Sequence, residues 1–197
     1  MITARSPLPR LAAWALSAVP LCCLADLPCN QPGPLAQTYA VQVVSHPWDD
    51  AIGHGKRTHS YQFTVPQAAK LCSIGYEAPA TPPATYQFKL YNCSSGVPVA
   101  VPGASVTVPA AVFSPGLQYF ILPNTSWPLM PATCYELRRK VVGPATVAQR
   151  TGRRLDNETT YPINAVPSLS ILGTDLFNGA GPQIVDQALP LIDFGTR

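Results

Sequence analysis

The chain has 197 residues, of which 47% are apolar and only 12% charged, and it carries 23 prolines and 13 glycines. That is room for one domain with a real core. The low charge excludes disorder by charge excess, and few windows after residue 25 escape proline for long enough to form a long helix. The formal net charge of +3 falls to +1 without Arg5 and Arg10, 11 basic residues then facing 10 acidic ones, which leaves no electrostatic basis for binding nucleic acid, so what remains is a compact, loop-rich, mostly β chain.

At the N-terminus, Arg5 and Arg10 precede an apolar run at 11–24 that ends in Cys23-Leu24-Ala25, the pattern of a secretory signal peptide over 1–25 with a mature start at Asp26. The run is shorter than the roughly 20 residues of a transmembrane helix. A lipid anchor at Cys22 or Cys23 is disfavoured because Leu21 or Cys22 stands where a small residue normally precedes the acylated cysteine. The expected location is extracellular, or periplasmic or cell-surface in a Gram-negative bacterium. Cleavage removes two of the six cysteines and two of the 13 basic residues, leaving Cys29, Cys72, Cys93 and Cys134. An even count in an exported chain predicts disulfides. Of three connectivities, Cys72 with Cys93 is favoured because they bracket a hairpin-length segment, which leaves Cys29 for Cys134. With no C-x-x-C pair, zinc is a poor alternative.

A Pro-rich leader at 26–37 precedes an expected strand at 38–45, where Tyr39, Val41 and Val43 alternate with polar or smaller neighbours. The segment 46–59 then reads as a loop. His59, Tyr61, Phe63 and Val65 share one face of the next strand, as do Cys72, Ile74 and Tyr76, and then Tyr86, Phe88 and Leu90, the period of two expected for half-buried strands. A turn at 92–96 leads to short strands at 97–101 and 104–108, then 117–122 and 133–142. The tail 143–197 is less regular: 168–172 and 189–194 read as strands, and 184–189 as a strand or a short helical turn. The basic clusters Arg138, Arg139, Lys140 and Arg150, Arg153, Arg154 read as solvated edges and loops in preference to a polyanion site. The expected fold is a single all-β domain over 26–197, an antiparallel β-sandwich pinned by disulfides, with its core strands in 38–142.

Four motifs occur in order: Cys72-Ser73-Ile74-Gly75-Tyr76, Tyr86-Gln87-Phe88-Lys89-Leu90-Tyr91, Gly96-Val97-Pro98-Val99 and Phe113-Ser114-Pro115-Gly116-Leu117-Gln118-Tyr119. Over about residues 58–142 this succession resembles secreted bacterial jelly-roll modules. Such modules are typically accessory, carbohydrate-associated or of unknown function, so the resemblance implies a jelly-roll architecture more than an activity. The four cysteines and the long tail depart from it.

All three histidines, His46, His54 and His59, fall within 14 residues, beside Asp49 and Asp50. Convergence on a divalent metal would require the loop to fold back, since no H-E-x-x-H pattern fixes the ligands on one helical face. A structural calcium site from Asp49, Asp50 and Asp193 is the oxygen-ligand alternative. Gly53-His54-Gly55-Lys56-Arg57-Thr58 fails as a phosphate loop, having Asp50 in place of the first glycine and Arg57 in place of Ser or Thr. No G-x-S-x-G elbow is present. Glu77 and Glu136 are carboxylates at strand ends with nothing in the sequence to bring them together. Four aromatic residues stand outside the alternating core pattern: Trp48, Trp127 and Tyr161 in polar loops, and Tyr91 opposite the Tyr86, Phe88, Leu90 face. Such rings stack on the apolar faces of sugars. Asn92-Cys93-Ser94, Asn124-Thr125-Ser126 and Asn157-Glu158-Thr159 are glycosylation acceptors in a eukaryote only. The expectation is a noncatalytic recognition or surface module with no cofactor and a glycan or cell-surface polymer as ligand. The alternatives are an exported metal-assisted hydrolase using His46, His54 and His59, and a structural envelope or matrix component.

Overall fold

A computed structural model describes residues 29, 33, 36, 49–54, 58–78, 85–113, 116–123, 126–142, 149–154, 161–165, 169–177, 182–185, 188–190 and 192–197. The signal peptide and the strand expected at 38–45 lie outside the described residues.

The alternating segments form strands, as their period of two dictates: β1 Asp49–His54, β2 Thr58–Thr64, β3 Ala69–Tyr76, β4 Thr85–Asn92, β5 Val99–Pro109, β6 Gln118–Ile121, β7 Trp127–Leu129 and β8 Tyr135–Val142. A 3-10 turn, Ala110–Phe113, separates β5 from β6. The tail continues with β9 Gln149–Arg154, β10 Ile163–Ala165, β11 Leu169–Phe177, β12 Pro182–Val185, β13 Ala188–Pro190 and β14 Ile192–Thr196. Every strand pairing among the described residues is antiparallel.

The large sheet runs β10-β11-β2-β8-β4-β5, with β12 also on β11, and the facing sheet runs β14-β3-β6, with β7 also on β3. Between them lies one core in which Tyr61 and Phe63 of β2, Phe88 and Leu90 of β4 and Leu137 of β8 meet Leu71, Ile74 and Tyr76 of β3 and Phe194 of β14. Ring centroids across the interface stand 5.0 Å apart for Phe63 and Phe194, and 4.9 Å apart, edge to face, for Tyr76 and Tyr86. The protein is therefore an all-β antiparallel sandwich. A third sheet, β1-β9-β13, approaches it where β13 lies against β2 and β11.

The tail contributes more than its weak patterning suggests, because β11 and β14 extend both sheets beside central strands and bury Ile171, Ile192 and Phe194. Part of the segment read as a loop is β1, which gains its hydrogen bonds from β9. The expected strands at 97–101 and 104–108 are one strand, β5. Its pairing with β4 jumps from Lys89–Ser105 to Tyr91–Ala100, and the surplus residues are absorbed around Pro102 and Gly103, the latter at φ 73°, a conformation glycine adopts without penalty.

The disulfides are Cys29–Cys72 and Cys93–Cys134, which corrects the expected pairing of Cys72 with Cys93 and Cys29 with Cys134. The segment between Cys72 and Cys93 is not a hairpin, since β3 and β4 belong to opposite sheets. Cys93 and Cys134 instead continue the β4–β8 ladder one step beyond Asn92 and Tyr135, and the Cys93 amide donates to the Cys134 carbonyl at 2.9 Å. Cys72 sits at a register slip: Ser73 faces Gly195 and Leu71 faces Thr196, which leaves Cys72 without an opposite number. Leu71 and Ile74 both enter the core as a result, and Cys72 joins the leader. The two bridges close loops with sequence separations of 43 and 41, each worth on the order of 4 kcal/mol in the chain-entropy account.

Candidate functional site

In β4 and β8 the side chains that do not enter the core alternate with those that do. Tyr86, Phe88 and Leu90 are buried, as are Leu137, Arg139 and Val141, so Gln87, Lys89 and Tyr91 and their neighbours Glu136, Arg138 and Lys140 lie on the opposite face. Register then sets them in three rows across β8, β4 and β5: Lys140, Gln87, Thr107; Arg138, Lys89, Ser105; and Glu136, Tyr91, Ala100. The result is a polar panel with one aromatic ring. The Arg138 guanidinium carbon is 4.2 Å from the Tyr91 ring centroid and the Lys89 ammonium 5.3 Å, within the reach of cation–π attraction. Arg138 also donates from Nε and Nη2 to the two oxygens of Glu136, at 2.5 and 2.8 Å. This fork fixes the guanidinium plane. Glu136 is buried beneath it, not a solvated strand-end carboxylate.

The structure treats the other expected contacts differently. Trp127 is 2% exposed and belongs to the core, where a loop tryptophan had been expected to meet ligand, because β7 pairs with β3 and turns the indole inward. Tyr161 is half-buried against the core, and its hydroxyl shares a hydrogen bond with the buried Thr174 at 3.1 Å. Trp48 and His46 lie outside the described residues, and Asp49, Asp50 and His54 are described in backbone alone. Among the described residues no group of three His, Cys, Asp or Glu side chains is placed to hold a metal ion.

Asp193, weighed above as a calcium ligand, is almost wholly buried and accepts hydrogen bonds from the amides of Gly33 at 2.8 Å and Ala36 at 3.3 Å and from the Tyr119 hydroxyl. It anchors the leader to the facing sheet. Gly33 is required there, since a Cβ would strike the Phe194 carbonyl. Burial, followed by the neighbouring Asp193 charge, pushes the Tyr119 phenol above its usual range.

Sequence reasoning also missed a polar centre in the core. Arg139, expected on a solvated edge, is fully buried. Its Nη2 donates to Nδ1 of His59, which it faces in register, at 2.7 Å, and its guanidinium lies 5.4 and 5.2 Å from the Tyr76 and Tyr86 ring centroids. Its Nε and Nη1 have no hydrogen-bond partner among the described residues, and neither is reached by solvent. Burial pushes the ionisation of both phenols above the usual range; the Arg139 charge opposes this at Tyr76, and the neighbouring Tyr76 adds to it at Tyr86. The alternation of Tyr135, Leu137 and Val141 was the signal that Arg139 points inward.

At the end of the sandwich, beyond the Cys93–Cys134 bridge, a groove of about 440 Å³ is lined by Asn92, Val99, Pro102, Pro128, Met130 and Tyr135. A neighbouring depression shares Pro128 and Met130 and adds Lys70 and Arg197. No helix among the described residues is long and apolar enough to cross a membrane, and two disulfides belong to an oxidising compartment. The chain matches no protein-family model, no curated protein and no solved structure.

Proposed function

We propose that this protein is an exported, noncatalytic recognition module that binds a glycan or cell-surface polymer on the outer face of its large sheet. One observation carries the reading: of Tyr91, Trp127 and Tyr161, the described aromatic residues that stood apart from the core pattern, Tyr91 is the one set on a sheet face among hydrogen-bonding side chains, with Gln87, Lys89 and Arg138 around it. The core beneath holds that panel rigid, so binding would cost little side-chain ordering. Export to the extracellular space or the periplasm accords with the two disulfides and with the signal-peptide pattern of 1–25. The resemblance to carbohydrate-associated modules points the same way.

A glycan array probed with the mature chain tests the proposal. Binding is expected, and Tyr91→Ala should weaken it at least tenfold without loss of the folded state by circular dichroism. An array with no bound glycan, or one indifferent to Tyr91→Ala, would refute this assignment of ligand and site.

A further inference from the structure

Resting on that reading, we infer that the ligand is an acidic polysaccharide, one bearing carboxylate or sulfate groups along its length, and that Lys89, Arg138 and Lys140 are its principal contacts. A neutral sugar stacks on an aromatic ring whose face is open. The Tyr91 ring instead has the Arg138 guanidinium at 4.2 Å and the Lys89 ammonium at 5.3 Å from its centroid. Its π face is engaged in holding cations, and those cations are what the panel presents.

The balance of charge agrees. Against Lys89, Arg138 and Lys140 the three rows set one carboxylate, Glu136, whose ion pair with Arg138 offsets that guanidinium's charge and orients it, so the panel's excess positive charge comes from Lys89 and Lys140. Lys89 stands opposite Arg138 across the β4–β8 ladder, and Lys140 lies two residues along from Arg138. Strand geometry spaces such positions by about 5 Å across the ladder and about 7 Å along it. The cations therefore form a short two-dimensional array suited to successive anionic groups on an extended chain. Between and beside them, Gln87, Ser105 and Thr107 offer hydrogen bonds to hydroxyls.

Other anionic partners fit less well. The most exposed large apolar residues, Val97, Val99, Ile121 and Met130, are not among these rows, and Val142, which borders them one row beyond Lys140, offers too little apolar surface to insert into a lipid interface. Nucleic acid would ask for an open ring on which its bases stack.

The test uses the mature, disulfide-bonded chain, titrated calorimetrically with a polyuronate, heparin, neutral dextran, a neutral β-glucan and duplex DNA, at low salt and at about 0.5 M NaCl, where screening acts within about 5 Å. The polyuronate or heparin should bind and lose at least tenfold in affinity at high salt. Lys89→Gln with Lys140→Gln should weaken binding at least tenfold while the melting temperature stays unchanged. Tyr91→Phe, which keeps the ring under both cations, should bind within about twofold of the parent. Salt-insensitive binding of a neutral glycan alone overturns the acidic assignment and leaves the glycan reading standing. Failure of all four polysaccharides overturns both. DNA bound as tightly as the polysaccharides overturns the choice of polymer.

Discussion

Arg139 carries a charge into the middle of an apolar sandwich, at 0% exposure, and the structure offsets the cost with His59 and with two tyrosine rings. A buried cation that loses one partner is left uncompensated, whereas replacing the whole polar group by apolar side chains is often nearly neutral. His59→Ala should therefore destabilise the fold by about 3 kcal/mol, and His59→Leu combined with Arg139→Met should cost less than the two single changes together. A double-mutant cycle by urea denaturation measures this; strictly additive costs would mean that the two residues do not couple. The buried phenols make a second prediction. Tyr76, Tyr86 and Tyr119 all ionise above the usual phenol range when folded, so the stability they contribute is complete below about pH 10 and declines as pH rises past that value, where the unfolded chain loses protons the folded chain keeps. In a spectrophotometric titration, Tyr76, Tyr86 and Tyr119 should stay un-ionised until alkaline unfolding; phenolate signals from all eight tyrosines in folded protein would contradict it.

Among elements, the leader and the two bridges divide the labour of stabilisation. Cys93–Cys134 fastens two strands that are already neighbours, so its removal leaves the ladder intact and acts through the unfolded chain, at a cost of about 2–5 kcal/mol. Cys29–Cys72 fastens a segment that otherwise rests on Asp193, Tyr119 and the close approach of Gly33 to Phe194. Cys29→Ala with Cys72→Ala and Asp193→Asn should release the leader to limited proteolysis while the remaining fragment keeps its β-sheet circular dichroism; a leader that stays protected would show that other contacts hold it. At this scale the sequence was legible where alternation was unbroken, in β2, β4 and β8. It misled at Cys72, because a single slipped residue changes which side chains face inward. It was silent on β9 and left 184–189, which spans parts of β12 and β13, between strand and helical turn; the strand character of all three comes from the partners they find more than from their own pattern.

For the molecule as a whole, composition and the period of two in the middle of the chain were enough to determine an all-β sandwich with disulfides, because proline spacing forbids long helices and alternating strands must bury one face against a second layer. The candidate site was half visible in the same way: alternation put Lys89 and Tyr91 on one face of β4, and Arg138 and Lys140 on one face of β8. That these two faces are one surface, with Arg138 over the ring of Tyr91, depends on β4 pairing with β8 across more than 40 residues of intervening chain. The pairing of the cysteines and the burial of Trp127 rest on the same kind of choice. Local sequence sets which way a side chain points along its own strand; which strand lies beside it is settled by the packing of the whole core, and only the tertiary structure holds that information.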